Sequence, residues 1–249
     1  MLQPLHHALL YASVQQAIAA LPAGGTYILE RYPTTSWVVG GFLRDTLVRL
    51  LHGRPVVPKD LDVLVAQKGD MDSVANELAS LGYDTTLGSM GSCKVDGVDL
   101  WFAENWGHQL PTDLDTQRSV IEQRIRNFPM TCQRLAIHVA TGTFVHDVHD
   151  TTEADVKALR LSLGDFGNIS PGLFAKLPRL LTHGWTIAPA MAFRLQHHPE
   201  EWATLVAAYP SLGSAPKHTW YAAIQTALSA PAPDISLGSA HALTINPFF

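Results

Sequence analysis

The chain has 249 residues, 47% of them hydrophobic and only 16% charged, with 17 Lys and Arg against 22 Asp and Glu for a formal net charge of −5. So large an apolar share excludes a disordered chain, and a prior of roughly 100–200 residues per domain gives one large domain or two small ones. The charge excludes a grip on nucleic acid by the surface as a whole and leaves only a local basic groove.

In chain order, residues 5–21 have helical spacing (Leu5, Leu9, Val14 and Ile18 near one face), and Ala23-Gly24-Gly25 is expected to end that helix. Trp37-Val38-Val39 is a short apolar strand running into Gly40-Gly41. A helix follows over 42–51, stopped by Gly53, then a buried strand over 61–66 and a helix over 71–81 ended by Gly82. Residues 93–102 form a hairpin around Asp96-Gly97, residues 116–126 a helix, and residues 135–139 and 143–148 a second hairpin around Thr141-Gly142. From about residue 153 the strand signals fade, and helices are expected over 156–163, 173–183, 190–197, 200–208 and 220–228, with a surface tail over 229–249. The expected class is α+β. A mixed-sheet domain spans 1–152, with residues 1–34 as an N-terminal helix and linker, and an all-helical domain with its tail spans 153–249.

The stretch with chemical content is Val38-Val39-Gly40-Gly41-Phe42-Leu43-Arg44-Asp45, then Lys59-Asp60-Leu61-Asp62-Val63-Leu64-Val65. A strand delivers the chain to two glycines that open a helix. Glycines let the backbone approach a phosphate closely, and the helix N-terminus adds partial positive charge. Arg44 falls in the first turn, beside that anion site. The plainer reading is a tight strand-to-helix turn without a ligand.

Asp60 and Asp62 open a strand two residues apart, so period-two geometry points both side chains to one face. Two carboxylates about 4 Å apart repel by roughly 4 kcal/mol at an effective dielectric of about 20. A divalent cation offsets that, and hard oxygen ligands favour Mg²⁺ or Mn²⁺. The Asp-x-Asp spacing recurs at Asp70/Asp72 and Asp113/Asp115, but those pairs precede helices, where N-capping is the plainer role for the first. Asp99 is the candidate third carboxylate of a metal clamp. It sits between Val98 and Leu100, and alternation leaves two readings open, a metal ligand or a solvent-facing residue. Glu104 and Asp96 are weaker candidates at the hairpin end and turn.

The order Gly-Gly-x-x-Arg-Asp, a loop, Asp-x-Asp on a strand and an acidic residue on a later strand resembles the head domain of class II tRNA nucleotidyltransferases and bacterial poly(A) polymerases. Residues 126–137 occupy the place of that family's Arg-Arg-Asp-Phe-Thr segment, with Phe128 and Pro129 where charged residues stand in the family. Residues 141–147 resemble its Gly-x-Leu-Ile-Asp hairpin, and residues 177–187 the start of its helical neck. The neck's Glu-Asp-x-x-Arg pattern is not found. The resemblance spans roughly 35–195 and implies a nucleotidyltransferase that moves a nucleoside monophosphate from an NTP to an acceptor hydroxyl. It implies Mg²⁺ (or Mn²⁺) on Asp60, Asp62 and Asp99, with Asp99 base-like. Triphosphate falls to Gly40 and Gly41, with Arg44 and Asp45 in the nucleotide site. It also implies an RNA acceptor, with tRNA the leading candidate. Transfer to a protein or small molecule, and a non-catalytic RNA- or protein-binding relative, are the alternatives.

Other features have plainer readings. His146-Asp147 is similar to a phosphohydrolase metal pair but closes a strand rather than lying on a helix. His6-His7 and His197-His198 point about 100° apart on a helix and suit the surface. Arg118, Arg124, Arg126, Arg134, Arg160, Lys176, Arg179 and Arg194 are candidates for a basic groove, or for ordinary solvated helix faces. Cys93 and Cys132 are the only cysteines, too few for a disulfide framework, and Cys132 reads as core. With no apolar run of ~18 residues and no basic segment before the first apolar stretch, a cytoplasmic protein without membrane contact is expected. Oligomeric state is not encoded legibly.

Overall fold

A computed structural model describes residues 4–56, 58, 60–67, 69–88, 92–103, 113–146, 152–164, 171–192 and 229. Its centre is a seven-stranded mixed sheet in the order β3-β4-β5-β2-β1-β6-β7. The strands are β1 (Ser36–Val39), β2 (Leu61–Val65), β3 (Thr85–Leu87), β4 (Cys93–Val95), β5 (Val98–Phe102), β6 (Leu135–His138) and β7 (Phe144–His146). Among the described residues of this sheet only β2 and β5 pair in parallel, and its other ladders are antiparallel.

Helices α1 (Pro4–Ala19), α2 (Ala23–Arg31), α3 (Gly41–His52), α4 (Met71–Ser80), α6 (Thr152–Ala158) and α7 (Pro171–Thr182) contribute to a large cluster with one face of the sheet. Val38, Val63, Val65, Leu100 and Ile137 supply the sheet side, while Leu10, Leu43, Leu78, Val156 and Leu177 come from the helices. Helix α5 (Leu114–Arg126) covers the other face, where Ile121 and Ile125 pack on Trp37, Val39, Leu64, Ala136 and Val145. The Trp37 indole N–H donates to Gln117 (3.1 Å) and so fixes α5 against the sheet without leaving a buried donor unpaired.

Local chemistry sets the helix ends. Asp70 caps α4 by accepting the Asp72 N–H, and Asp113 caps α5 by accepting the Thr116 N–H. Gly53 ends α3 in the left-handed conformation (φ 62°), its N–H bonded to the Arg49 carbonyl. The Asp70/Asp72 pair is thereby explained as capping, and Asp113 plays the same part.

Three elements depart from expectation. Ala23-Gly24-Gly25 opens a second helix, α2, rather than only closing the first. The glycines are needed for close approach to the β4–β5 turn. A Cβ on Gly24 would stand 2.7 Å from Asp96 Oδ2 and from Val95 Cγ2, and the Gly24 N–H donates to Asp96 (2.9 Å). Strand β3 carries no apolar alternation because it is a three-residue edge with little burial. The helix expected over 156–163 stops at residue 158. Leu159 takes a positive φ (50°), and β8 (Arg160–Leu161) pairs in parallel with β9 (Thr186–Ile187). The segment from 153 onward thus carries two short strands besides its helices. The helices expected over 200–208 and 220–228 lie outside the described residues, as does most of that over 190–197. Among the described residues no helix is long and apolar enough to cross a membrane.

Leu100 is fully buried at the centre of the sheet, whereas Leu81 is 52% exposed. Leu100→Ala is expected to cost about 3 kcal/mol in urea unfolding, and Leu81→Ala less than about 0.5 kcal/mol.

Candidate active site

The site is built by strand register. On the parallel β2–β5 ladder Asp62 stands opposite Asp99, and on the β4–β5 ladder Asp99 stands opposite Lys94. On the other side Val39, the last residue of β1, stands opposite Asp62. Lys94, Asp99 and Asp62 therefore form one row on the face that also carries Leu64, with Gly40 following Val39 at the end of the row. Leu64 and Ala66 pack in the cluster with Ile121 and Ile125 of α5, whereas Asp60 and Asp62 precede them along the chain.

Asp99 does not face solvent; it is 6% exposed. Lys94 Nζ lies 2.8 Å from its Oδ2, while Oδ1 is buried with no hydrogen-bond partner among the described residues. Leaving a buried acceptor unsatisfied costs about 1–3 kcal/mol, and more for a charged group. A cation or a proton at that oxygen removes the cost. Asp62 has its Oδ2 against the glycine turn, 3.3 Å from where a Cβ on Gly40 would stand and 3.7 Å from one on Gly41. Gly40 has φ 71°, a conformation that favours glycine, and its N–H bonds the Leu135 carbonyl (3.0 Å).

Burial pushes the Asp62 carboxyl up from its ordinary 3.8 to about 6; the Asp60 and Asp99 charges add to the rise, and Lys176 and the Gly41 N–H oppose it. The Lys94 ammonium is pushed up in turn, first by its hydrogen bond to Asp99 and also by the charges of Asp99, Asp60 and Asp62. A hollow beside the row is lined by Asp60, Asp84, Thr86, Lys94 and Asp99. Among the described residues no three metal-ligating side chains converge closely enough to cage a metal alone. The set suits Mg²⁺, which is ordinarily held by one or two carboxylates with waters and substrate phosphate oxygens. The mutual repulsion of Asp62 with Asp60 and Asp99 is what such an ion would offset.

Arg44 and Asp45 lie inward rather than in the opening. Both are 4% exposed. Arg44 Nε and Nη2 reach Asp45 Oδ1 at 2.7 Å, and Asp45 Oδ2 takes Arg179 Nη2 of α7 at 3.1 Å. Arg44 Nη2 also lies 3.8 Å from the position of a Cβ on Gly41, so the pair props the turn from beneath. Arg44 Nη1 is buried without a partner among the described residues.

Several expected basic-groove residues have partners within the chain, Arg118 on an exposed helix face and others further in. Arg118 pairs with Glu122, Arg160 with the fully buried Asp155, and Arg134 is buried with its Nε donating to the Phe128 carbonyl. Asp96 serves α2, as described, and Glu104 and Arg194 lie outside the described residues. His7 bonds the Gly142 carbonyl. His146 sits on β7, and Asp147 lies outside the described residues. Cys132 is fully buried, its thiol pushed up to about 12 by that burial. Lys94 was not singled out from the sequence. Its signal was present, because a hairpin turning at Asp96-Gly97 pairs Val95 with Val98 and hence Lys94 with Asp99.

No family model and no curated protein matches the chain. Solved structures do. It is similar to a CCA-adding enzyme in complex with CTP (17% identity, TM-score 0.48, covering 70% of this chain and 40% of that one). It is also similar to a CCA-adding enzyme in complex with ATP (15% identity, TM-score 0.49, the same coverage). A third is a Thermotoga maritima CCA-adding enzyme complexed with tRNA (17% identity, TM-score 0.43, 64% of this chain and 36% of that one). The chain spans about 40% of the length of the first of these.

Because the folded-state carboxyl of Asp62 titrates near 6, the folded protein holds a proton between about pH 4 and 6 that the unfolded chain has released. That stabilising contribution is present at low pH and is lost as pH rises through 6. In EDTA, the stability of Asp62→Asn relative to the native chain is therefore expected to rise between pH 4 and 6 and then level off, read from urea midpoints. A difference that stays flat over that range refutes a raised Asp62 carboxyl.

Proposed function

We propose that the chain is a divalent-cation-dependent nucleotidyltransferase, with an NTP as donor and the terminal hydroxyl of an RNA, tRNA first among candidates, as acceptor. The observation that carries this reading is the Asp62–Asp99 register beside a glycine turn with Asp60 at the same strand end. Like charges held side by side, Asp99 buried and Asp62 partly so, are destabilising by themselves and become useful around a cation.

In this reading Asp60 and Asp62 hold Mg²⁺, which supplies charge neutralisation for the triphosphate and the carboxylates when bound. The Gly40-Gly41 turn and the N-terminus of α3 seat phosphate oxygens. The acceptor oxygen forms a bond to the α-phosphorus as the bond to pyrophosphate breaks, and Asp99 Oδ1 takes the hydroxyl proton. Arg44 and Asp45 act from beneath as positioning residues that keep the turn in place. Lys176, exposed on α7, has a charge that reaches Asp62 and in this reading helps draw in an anionic substrate.

The test is incubation of the chain with each labelled NTP, Mg²⁺ and pooled tRNA or total RNA, with mass spectrometry of the acceptors. A nucleotide-sized increment is expected. Asp62→Ala is expected to abolish it, and Asp99→Asn to lower kcat by about 10²–10⁴-fold. Transfer that survives both changes removes the reading.

A further inference from the structure

We propose that Lys176 of α7 binds the terminal phosphates of the nucleotide and so distinguishes a triphosphate from a monophosphate. This rests on the reading of the chain as a nucleotidyltransferase and adds to it a residue outside the glycine and carboxylate motifs.

The site needs a cation that the motif does not deliver. Arg44, the basic residue after the glycine turn, is 4% exposed, and its Nε and Nη2 are given to Asp45. Lys94 is held by Asp99. The Gly40 N–H goes to the Leu135 carbonyl and the Gly41 N–H to Asp62. A polyanionic triphosphate at this turn meets groups already engaged, beside carboxylates that repel it.

Helix α7 brings the missing charge. Arg179 Nη2 reaches Asp45 Oδ2 at 3.1 Å, Asp45 is joined to Arg44, and Arg44 Nη2 lies 3.8 Å from where a Cβ on Gly41 would stand. One edge of α7 is thus pinned beneath the turn, while Leu177 and Leu180 bury its inner side. Lys176 precedes Arg179 by three residues, so the two cations are neighbours on the helix surface. Lys176 is exposed and makes no hydrogen bond or ion pair among the described residues. Its charge opposes the rise of the Asp62 carboxyl more than that of any other group.

The order of the groups says which phosphates it meets. In-line attack puts the acceptor and the pyrophosphate on opposite sides of the α-phosphorus. Asp99, which takes the hydroxyl proton, marks the acceptor side. The turn and α7 lie beyond Asp62 at the other end of the row, on the pyrophosphate side. A compact ammonium on a flexible stem suits phosphate oxygens there.

The probes are each labelled NTP and its monophosphate, measured by equilibrium dialysis against the intact chain in Mg²⁺. Lys176→Met is expected to weaken the triphosphate about tenfold or more and to leave the monophosphate within about twofold. Lys176→Arg is expected to retain most of the triphosphate affinity. Lys157→Met, which removes the same charge from α6, is expected to change neither. Bound NTP, but not the monophosphate, is expected to shield Lys176 from acetic anhydride, read by peptide mass spectrometry. Unchanged circular dichroism and urea midpoint are the check that each variant is folded. Triphosphate binding that is unchanged in folded Lys176→Met, or lowered equally with the monophosphate or by Lys157→Met, overturns the proposal and leaves the nucleotide site standing. A native chain that binds no NTP overturns both.

Discussion

The structure depends on one ladder. Strands β2 and β5 form the only parallel pair among the described residues of the large sheet, and their register sets Asp62 beside Asp99. Flanking apolar residues lock that register. Leu61, Val63 and Val65 pair with Val98, Leu100 and Phe102, and all six are buried in the cluster that α3, α4 and α7 help to build. A slip of one residue along either strand would turn its apolar set away from that core. The hydrophobic effect thus holds two carboxylates together that electrostatics alone would separate. The surroundings answer that repulsion unevenly: Lys94 pairs with one oxygen of Asp99, and Asp62 retains its proton more tightly than an exposed carboxyl.

The glycine turn is the second fixed point. It comes to Asp62 through β1, which pairs with β2 on one side and β6 on the other. Beneath it the Arg44–Asp45–Arg179 chain of ion pairs ties α3 to α7. The Arg54 guanidinium adds a hydrogen bond to the His183 carbonyl just past α7. Helix α7 also carries Lys176, whose charge is felt at Asp62. The segment after residue 152 therefore contributes to the electrostatics of the sheet-borne site. It also shares its core: Val156, Leu161, Leu177 and Leu180 lie in the same cluster as Val38 and Leu43.

Much of the site was legible from residues close in sequence. The strand running into Gly40-Gly41, the Asp60/Asp62 pair and the hairpin at Asp96-Gly97 each carry local signals, and so do the caps at Asp70 and Asp113. Asp99 was ambiguous because alternation shows that it faces away from Val98 and Leu100. Whether that second face is open water or a crowded row depends on strands more than thirty residues away. Arg44 and Asp45 were placed near the anion site by position in the first helical turn. Their inward orientation follows from Arg179, 134 residues beyond Asp45, which no local pattern announces.

The amino-acid order by itself determined the elements whose causes are local: apolar period, capping carboxylates, and glycines where the backbone turns with positive φ. It also determined that an acidic strand end follows a glycine-opened helix. Tertiary structure alone decided which acidic side chains meet, that Asp99 is buried with Lys94 on one oxygen, and that the chain breaks at Leu159 to pair β8 with β9. The physical reason is that strand pairing and burial are bought with contacts between distant segments, and a carboxylate's charge state follows from its surroundings rather than from its neighbours in the chain.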